Sequence, residues 1–247
     1  MMESPPQEDK LILSRAASYG FLAWLFVEQP DRDFVNRMLS KDVQEGLRSL
    51  TAGSTANSKI AAGFQEMVTY ITGDGSQSTE ATCQVLALER TKFLKGAGHH
   101  DAPPPPYESL YRSDGKGGGI SVLEAVAKFY RSAQVEPAER QVDQIDYLGL
   151  ELDLMRLLCE EASSCQELGD VAGANGFASL QQGFLQEHLL QWVPHFCELM
   201  LQYPTASFYR GLARLLLGFL DEEMTIQFVL PPEDREFSNG PLTGIKN

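Results

Sequence analysis

The sequence predicts an all-α fold, a single helical bundle of about ten helices, and three observations carry that prediction. Apolar residues recur at three- and four-residue spacing along most of the 247-residue chain, which lines side chains up on one face of a helix. No stretch alternates convincingly with period two, as a half-buried strand would. Clusters of Gly, Pro, Ser and Thr separate the apolar segments and suit short interhelical turns. At 43% hydrophobic content the chain has ample material for a packed core.

Residues 10–28 carry Leu11, Ile12, Tyr19, Leu22 and Phe26 at helical spacing, and Pro30 ends that helix. Shorter helices follow over Asp31–Leu50 and Ala56–Thr72, set apart by "TAGST" and "GDGSQS". Ser78 is placed to cap "TEATCQVLALERTKFLK", with Glu80 in the first turn where the helix dipole favours an anion; Gly96 and Gly98 stop the helix. Ser121 and Glu124 have the spacing of a capping box ahead of "VLEAVAKFYRSA". From Glu139 to Glu161 a stripe runs through Val142, Ile145, Leu148, Leu152 and Met155. The next helix, Ala174–Leu201, carries Phe177, Leu180, Phe184, His188, Trp192 and Leu199, with Pro194 kinking or breaking it. The last, Thr205–Glu222, turns Phe208, Leu212, Leu215, Leu216 and Phe219 inward, and "TIQFVL" after it is compatible with an extended segment. These elements read as one domain with a loose tail over 226–247.

Charge and topogenic signals narrow the function. Thirty-four acidic against 20 basic residues give a formal net charge of −14. Such a surface repels nucleic-acid backbones and anionic headgroups and attracts cationic peptides. The acidic start "MMESPPQEDK" lacks the pattern of a signal peptide, and "FLAWLFV" and "LLLGFL" fall short of the roughly 20 apolar residues of a membrane span, so a cytoplasmic location is expected. Cys83, Cys159, Cys165 and Cys197 form no CxxC pair and are expected as reduced, mostly buried thiols.

Catalytic patterns are sparse. "GKGGGI" offers backbone amides but lacks the P-loop spacing, so a connector is the better reading. "HHD", His99 to Asp101, is similar to the metal-binding pair of helical phosphohydrolases, yet His188 and His195 are the other histidines and both sit on an apolar face beside Trp192, as hydrogen-bonded core or surface histidines do. Inward Glu-x-x-His pairs and a Gly-x-Ser-x-Gly elbow are absent. A metal- or nucleotide-dependent phosphoester hydrolase using the glycine run or His99, His100 and Asp101 is the alternative reading.

Recognition is the better-supported class. In "PPPPYESLY" a stiff polyproline segment presents Tyr107 and Tyr111 one helical turn apart, on a shared face beside Glu108 and Ser109, unless both rings are simply core. In "QIDYLGLELD" Asp146 lies one turn before Gly149 and Leu150, and Tyr147 and Glu151 share an adjacent face. Together these make an acidic, tyrosine-lined groove floored by a glycine, suited to a basic, partly apolar peptide. Arg90 either tethers one of the carboxylates or is an ordinary surface charge.

"LERTKFL … APPPPYESLY", then "DYLGLELDLMRLLCEE", then "FLQEHLLQWVPHFCELMLQYPTASFYRGLARLLLGFLDEE" resemble, in order and spacing, the TorD-like family of redox-enzyme maturation chaperones, which includes the DmsD and NarJ types. The likeness runs from about Leu88 to Glu222 and implies two helical halves, an N-terminal one over about 10–135 and a C-terminal one over about 138–225, joined by a hinge. It implies a non-enzymatic, all-α cytoplasmic chaperone for a molybdopterin-containing oxidoreductase, taking up the enzyme's twin-arginine leader or its apoprotein before cofactor insertion and export, as a monomer or homodimer. It places Tyr107, Glu108, Ser109, Tyr111, Asp146, Tyr147 and Glu151 at the peptide site, with Arg90, Gly149 and Leu150 in support. It implies no bound cofactor beyond weak guanine-nucleotide binding, for which the glycine run is the one feature offered. Family members commonly carry Glu-Pro and then Asp-His at the hinge; here Glu136-Pro137 is followed by Asp146-Tyr147, so the neutral-range titrating group is missing.

Overall fold

Helices form where the apolar spacing places them. The computed structural model describes residues 7–45, 57–73, 78–96, 102–112, 118–136, 144–203 and 206–229. Its elements are α1 (Gln7–Val27), α2 (Arg32–Met38), α3 (Asn57–Thr72), α4 (Thr79–Leu94), α5 (Glu108–Arg112), α6 (Gly118–Ala133), α7 (Leu148–Glu167), α8 (Val171–Phe184), a π-turn (Leu185–Leu189), α9 (Leu190–Gln202) and α10 (Ser207–Val229). The chain is all-α: among the described residues extended pairing is limited to an isolated antiparallel bridge between Tyr107 and Tyr147. None of the described helices is long and apolar enough to cross a membrane. Gly98, the "HHD" motif, Gly115–Gly117, Pro137, residues 139–143 and the tail from Pro231 lie outside the described residues.

Caps set several boundaries. Asp31 accepts from the Phe34 amide at 2.9 Å and starts α2 just after Pro30. Ser78 accepts from the Ala81 amide at 3.2 Å, as its sequence position predicts. Gly169, at φ +72°, closes α7: its amide bonds the Gln166 carbonyl and the Asp170 amide bonds Cys165, a Schellman arrangement that side chains with a Cβ disfavour. Asp170 then caps α8 through the Gly173 amide at 2.9 Å.

Four expectations change. The helix predicted over 31–50 breaks at Leu39 and Ser40, with 41–45 helical again. Ser121 lies inside α6, which begins at Gly118, so no capping box starts that helix. "TIQFV" continues α10 rather than extending. The segment 174–201 is interrupted by the π-turn, which ends one residue before Leu190, the residue whose carbonyl loses its usual donor because Pro194 has no N–H. Pro194 itself stays helical.

The chain divides into two compact units. Unit 1 draws on the described residues of 1–27 and 107–192. There α1 packs along α7, α7 along α8, and α6 against α5 and α8. Tyr19, Leu22 and Phe26 of α1 and Leu148, Leu152 and Met155 of α7 are all buried. Gln181 of α8 ties three helices, donating to the Leu158 carbonyl and accepting from Arg15, each at 2.9 Å.

Unit 2 draws on the described residues of 28–106 and 193–231, with α3 packed along α10 and α2 against α4. Tyr209 donates to the Leu86 carbonyl at 3.0 Å, and Phe93 packs its ring edge on Tyr203. Glu66 of α3 pairs with Arg210 and Arg214 of α10. Two glycines let these helix backbones meet: a Cβ on Gly63 would sit 2.5 Å from the Gly211 carbonyl oxygen, and one on Gly211 would sit 2.5 Å from the Gly63 oxygen. Gly63→Ala is therefore expected to destabilise the protein by about 1–3 kcal/mol in a denaturation titration, because backbone cannot yield as a side chain can. The exposed Ser179→Ala serves as a control expected to change little, and equal stability of both variants would contradict the close crossing.

Candidate functional site

The strongest concentration of buried polar chemistry lies in unit 1, where "YESLYR" meets the turn before α7. α5 has only five residues, too few to stand alone in water. Its N-terminal amides are held from outside: the Glu108 amide donates to the Asp146 carbonyl at 3.0 Å, and the Ser109 amide donates to Asp146 Oδ2 at 2.9 Å. Asp146 thus satisfies donors that a helix start leaves unpaired. Tyr107, one of the two bridge residues, also packs its ring, tilted, against that of Tyr147 with centroids 5.3 Å apart.

Tyr147 caps α7 by backbone, its carbonyl accepting from the Leu150 and Glu151 amides, while its hydroxyl donates to the Phe26 carbonyl at 2.6 Å. That carbonyl is in the last turn of α1, where helical acceptors run out of partners. Gly149 is needed because a Cβ there would lie 2.7 Å from Val27 Cγ2 and 2.9 Å from the Tyr147 ring. Leu150 is buried, and its carbonyl accepts from the Tyr130 hydroxyl at 3.0 Å.

Glu108, Asp146 and Glu151 are each 0% exposed. Glu108 accepts from Arg112 on Oε1 and from His188 Nδ1 on Oε2, the latter at 2.7 Å. The π-turn delivers His188 to this position, stacked on Phe184 and meeting the Phe129 ring edge-on. Arg112 also donates to the Glu187 carbonyl at 2.7 Å, so α5 is bonded twice to the π-turn. Glu151 Oε2 accepts from the Trp192 indole at 3.2 Å, and Tyr111 packs on that indole at 5.2 Å. Glu151 Oε1 and Asp146 Oδ1 accept no hydrogen bond from a protein donor.

These partners give the two glutamates opposite protonation. Burial alone would push the Glu108 carboxyl up, but the His188 bond and charge, with smaller contributions from Glu151 and Arg112, hold it below the ordinary carboxylate range. Glu151 has only the neutral indole as a donor. Burial, then the Glu108 and Asp146 charges, hold its carboxyl well above that range. A protonated Glu151 donates to Glu108 and removes the conflict of two facing acceptors. Tyr130 is likewise pushed well up by burial and then by Glu151 and Asp153.

Sequence spacing therefore anticipates which residues gather but not how enclosed they are. Tyr107, Glu108, Ser109, Tyr111, Asp146, Tyr147, Gly149, Leu150 and Glu151 do come together in unit 1, but the carboxylates are enclosed and do not line an open acidic groove. Tyr107 and Tyr111 do not share one face: each is half-buried against its own partner ring. Asp146 precedes α7, which starts at Leu148 and not at Glu139, so its helical spacing to Gly149 does not apply. Arg90 belongs to unit 2, is buried, and donates from Nε to the Glu28 carbonyl at 3.0 Å. His188, read beside Trp192 as a hydrogen-bonded core or surface histidine, is a core one. Its partner, and the parts of Arg112 and Trp192, were missed; the signals available were Arg112 four residues after Glu108 and Trp192 four after His188.

The family model described as nitrate reductase delta subunit matches residues 55–198, more than half of the chain. Among curated proteins, the chain is 23% identical over 209 residues to Chaperone protein TorD of Vibrio cholerae serotype O1, covering 85% of this chain and 90% of that one. It is 26% identical over 226 residues to Chaperone protein TorD of Aeromonas salmonicida, covering 88% and 93%. Over 125 residues it is 27% identical to the Probable Tat proofreading chaperone DmsD of Haemophilus influenzae, covering 51% and 54%.

The two glutamates should respond differently to substitution. Glu108→Ala strands His188 and Arg112 and is expected to cost about 2–4 kcal/mol, at the lower end of a broken buried pair because Arg112 reaches solvent. Glu151→Gln keeps the shape of the neutral acid. Above the ordinary value of 4.5 the folded wild type holds a proton that the unfolded chain has released, so its stability falls as pH rises. The variant lacks this penalty, and its advantage over wild type in urea titrations is expected to grow with pH; a constant difference would contradict a protonated Glu151.

Proposed function

Since the chain belongs to the nitrate reductase delta subunit family and its relatives are named TorD and DmsD chaperones, we propose that it is a cytoplasmic chaperone for a molybdopterin-containing oxidoreductase. It binds the twin-arginine leader, the apoprotein, or both, and assists cofactor insertion and assembly before export. The observation that carries the leader-binding part is the cluster in unit 1, where three buried carboxylates lie between two aromatic pairs, Tyr107 with Tyr147 and Tyr111 with Trp192. Half-buried rings over buried acids suit a ligand that is both cationic and apolar. The net charge of −14 steers a basic leader toward the protein, which makes encounter fast and dependent on salt. The alternative phosphoester hydrolase draws on His99, His100, Asp101 and the glycine run, and the relatives' names lend it no support.

Calorimetric titration with synthetic twin-arginine leaders tests the reading. Saturable binding is expected, weakened by salt and lost when both arginines become alanine. Tyr107→Ala, which removes a half-buried ring, is expected to weaken binding about tenfold, as loss of an aromatic anchor does. Binding of full affinity to that variant would move the site elsewhere, and failure of the wild type to bind any leader would leave the apoprotein as the contact to examine by co-purification.

A further inference from the structure

Three groups in unit 1 bear on one question, namely what neutralises the buried acids. Glu108 has a basic partner on each oxygen, Arg112 on one and His188 on the other. Glu151 keeps Oε1 without a donor, and Asp146 keeps Oδ1 without one, although both side chains are fully enclosed. An unsatisfied buried acceptor is costly, and a fixed core has no reason to hold two near each other. One proton on Glu151 relieves part of the conflict by bonding to Glu108. It leaves Asp146 Oδ1 unanswered.

Resting on the functional reading above, we propose that Glu151 Oε1 and Asp146 Oδ1 form a cation-acceptor site for a guanidinium of the client's leader. Its entry is a balanced exchange: the carboxyl O–H of Glu151 releases its proton to solvent, and guanidinium N–H groups donate to Glu151 Oε1 and Asp146 Oδ1. One positive charge enters as one leaves, so the core's net charge is unchanged. A guanidinium suits this pair better than an ammonium because it presents several donors in one rigid plane. Glu108 already has two basic partners, Arg112 and His188, so the acids lacking one are Glu151 and Asp146. Arg112, bonded to Glu108, is one-third exposed and so links the acid cluster to the solvent. The five-residue α5, held at its start through Asp146, carries both Glu108 and Arg112.

The groups that face Glu151 are Glu108 from α5, Asp146 from the preceding turn, Tyr130 from α6 and Trp192 from α9, while Arg112 and His188 face Glu108. Cation entry lowers the proton affinity of Glu151, so leader affinity rises with pH as the resting proton becomes easier to lose. His188 bonds Glu108, not Glu151, and is not the source.

Titration of the wild type with a twin-arginine leader, at one pH in buffers of different ionisation enthalpy, counts the protons. Release of about one proton per leader is expected. Glu151→Gln is expected to bind about tenfold more weakly with no release. Changing both leader arginines to lysine should weaken binding while keeping some release. Binding without release, or release that persists in Glu151→Gln, overturns the exchange and leaves the chaperone reading standing; absence of leader binding overturns leader binding and the exchange with it. Should Glu151→Gln fail to fold, infrared difference spectra of the wild type decide: the stretch of an un-ionised carboxyl must disappear on adding leader, and its persistence overturns the proposal.

Discussion

Glu108, closed off from water, accepts from Arg112 on one oxygen and His188 on the other, and much of unit 1 is arranged around that requirement. A carboxylate removed from solvent without such partners is far too costly to keep ionised. The π-turn brings His188 inward to supply one partner. Arg112 supplies the second and, through the Glu187 carbonyl, fixes α5 to the same turn. With Glu108 held as the anion, Glu151 must hold the proton.

The N-terminus of α7 is built by the same accounting of polar groups. Asp146 caps a helix other than its own, so the register of "YESLYR" depends on a residue 37 positions later. Tyr147 stands where the resembling family commonly has histidine, and it gives its hydroxyl to the end of α1 instead of titrating. Gly149 makes room for its ring. The substitution exchanges a proton-binding group for a fixed bond between elements, and it is the Glu151 carboxyl that burial and the neighbouring Glu108 charge push up.

Fold class was legible because helical periodicity is local: Phe26, Leu152 and Leu212 each sit on stripes whose members are close in sequence. Ser78 was legible as a cap for the same reason. The start of α7 was not, since Val142 and Ile145 continue the apolar spacing while the break comes from Asp146 bonding α5. The setting of the site was hidden by distance along the chain. Glu108 reads as a surface anion until its partner is known, and that partner lies 80 residues away in a turn whose π register no spacing rule anticipates. Acidic residues beside tyrosines pointed to this cluster. Only their burial shows that they do not line an open surface.

The account turns on Glu151 being the group that answers a cationic leader, and its hydrogen bond to Trp192 offers a direct reporter. The chain has two tryptophans, Trp24 and Trp192, so a nitrogen–proton correlation spectrum carries two indole signals. Titration with a twin-arginine leader should shift the Trp192 signal downfield in step with binding, as its acceptor changes from acid to carboxylate, while Trp24 moves little. Saturation of the protein with a Trp192 signal that stays in place would contradict the account.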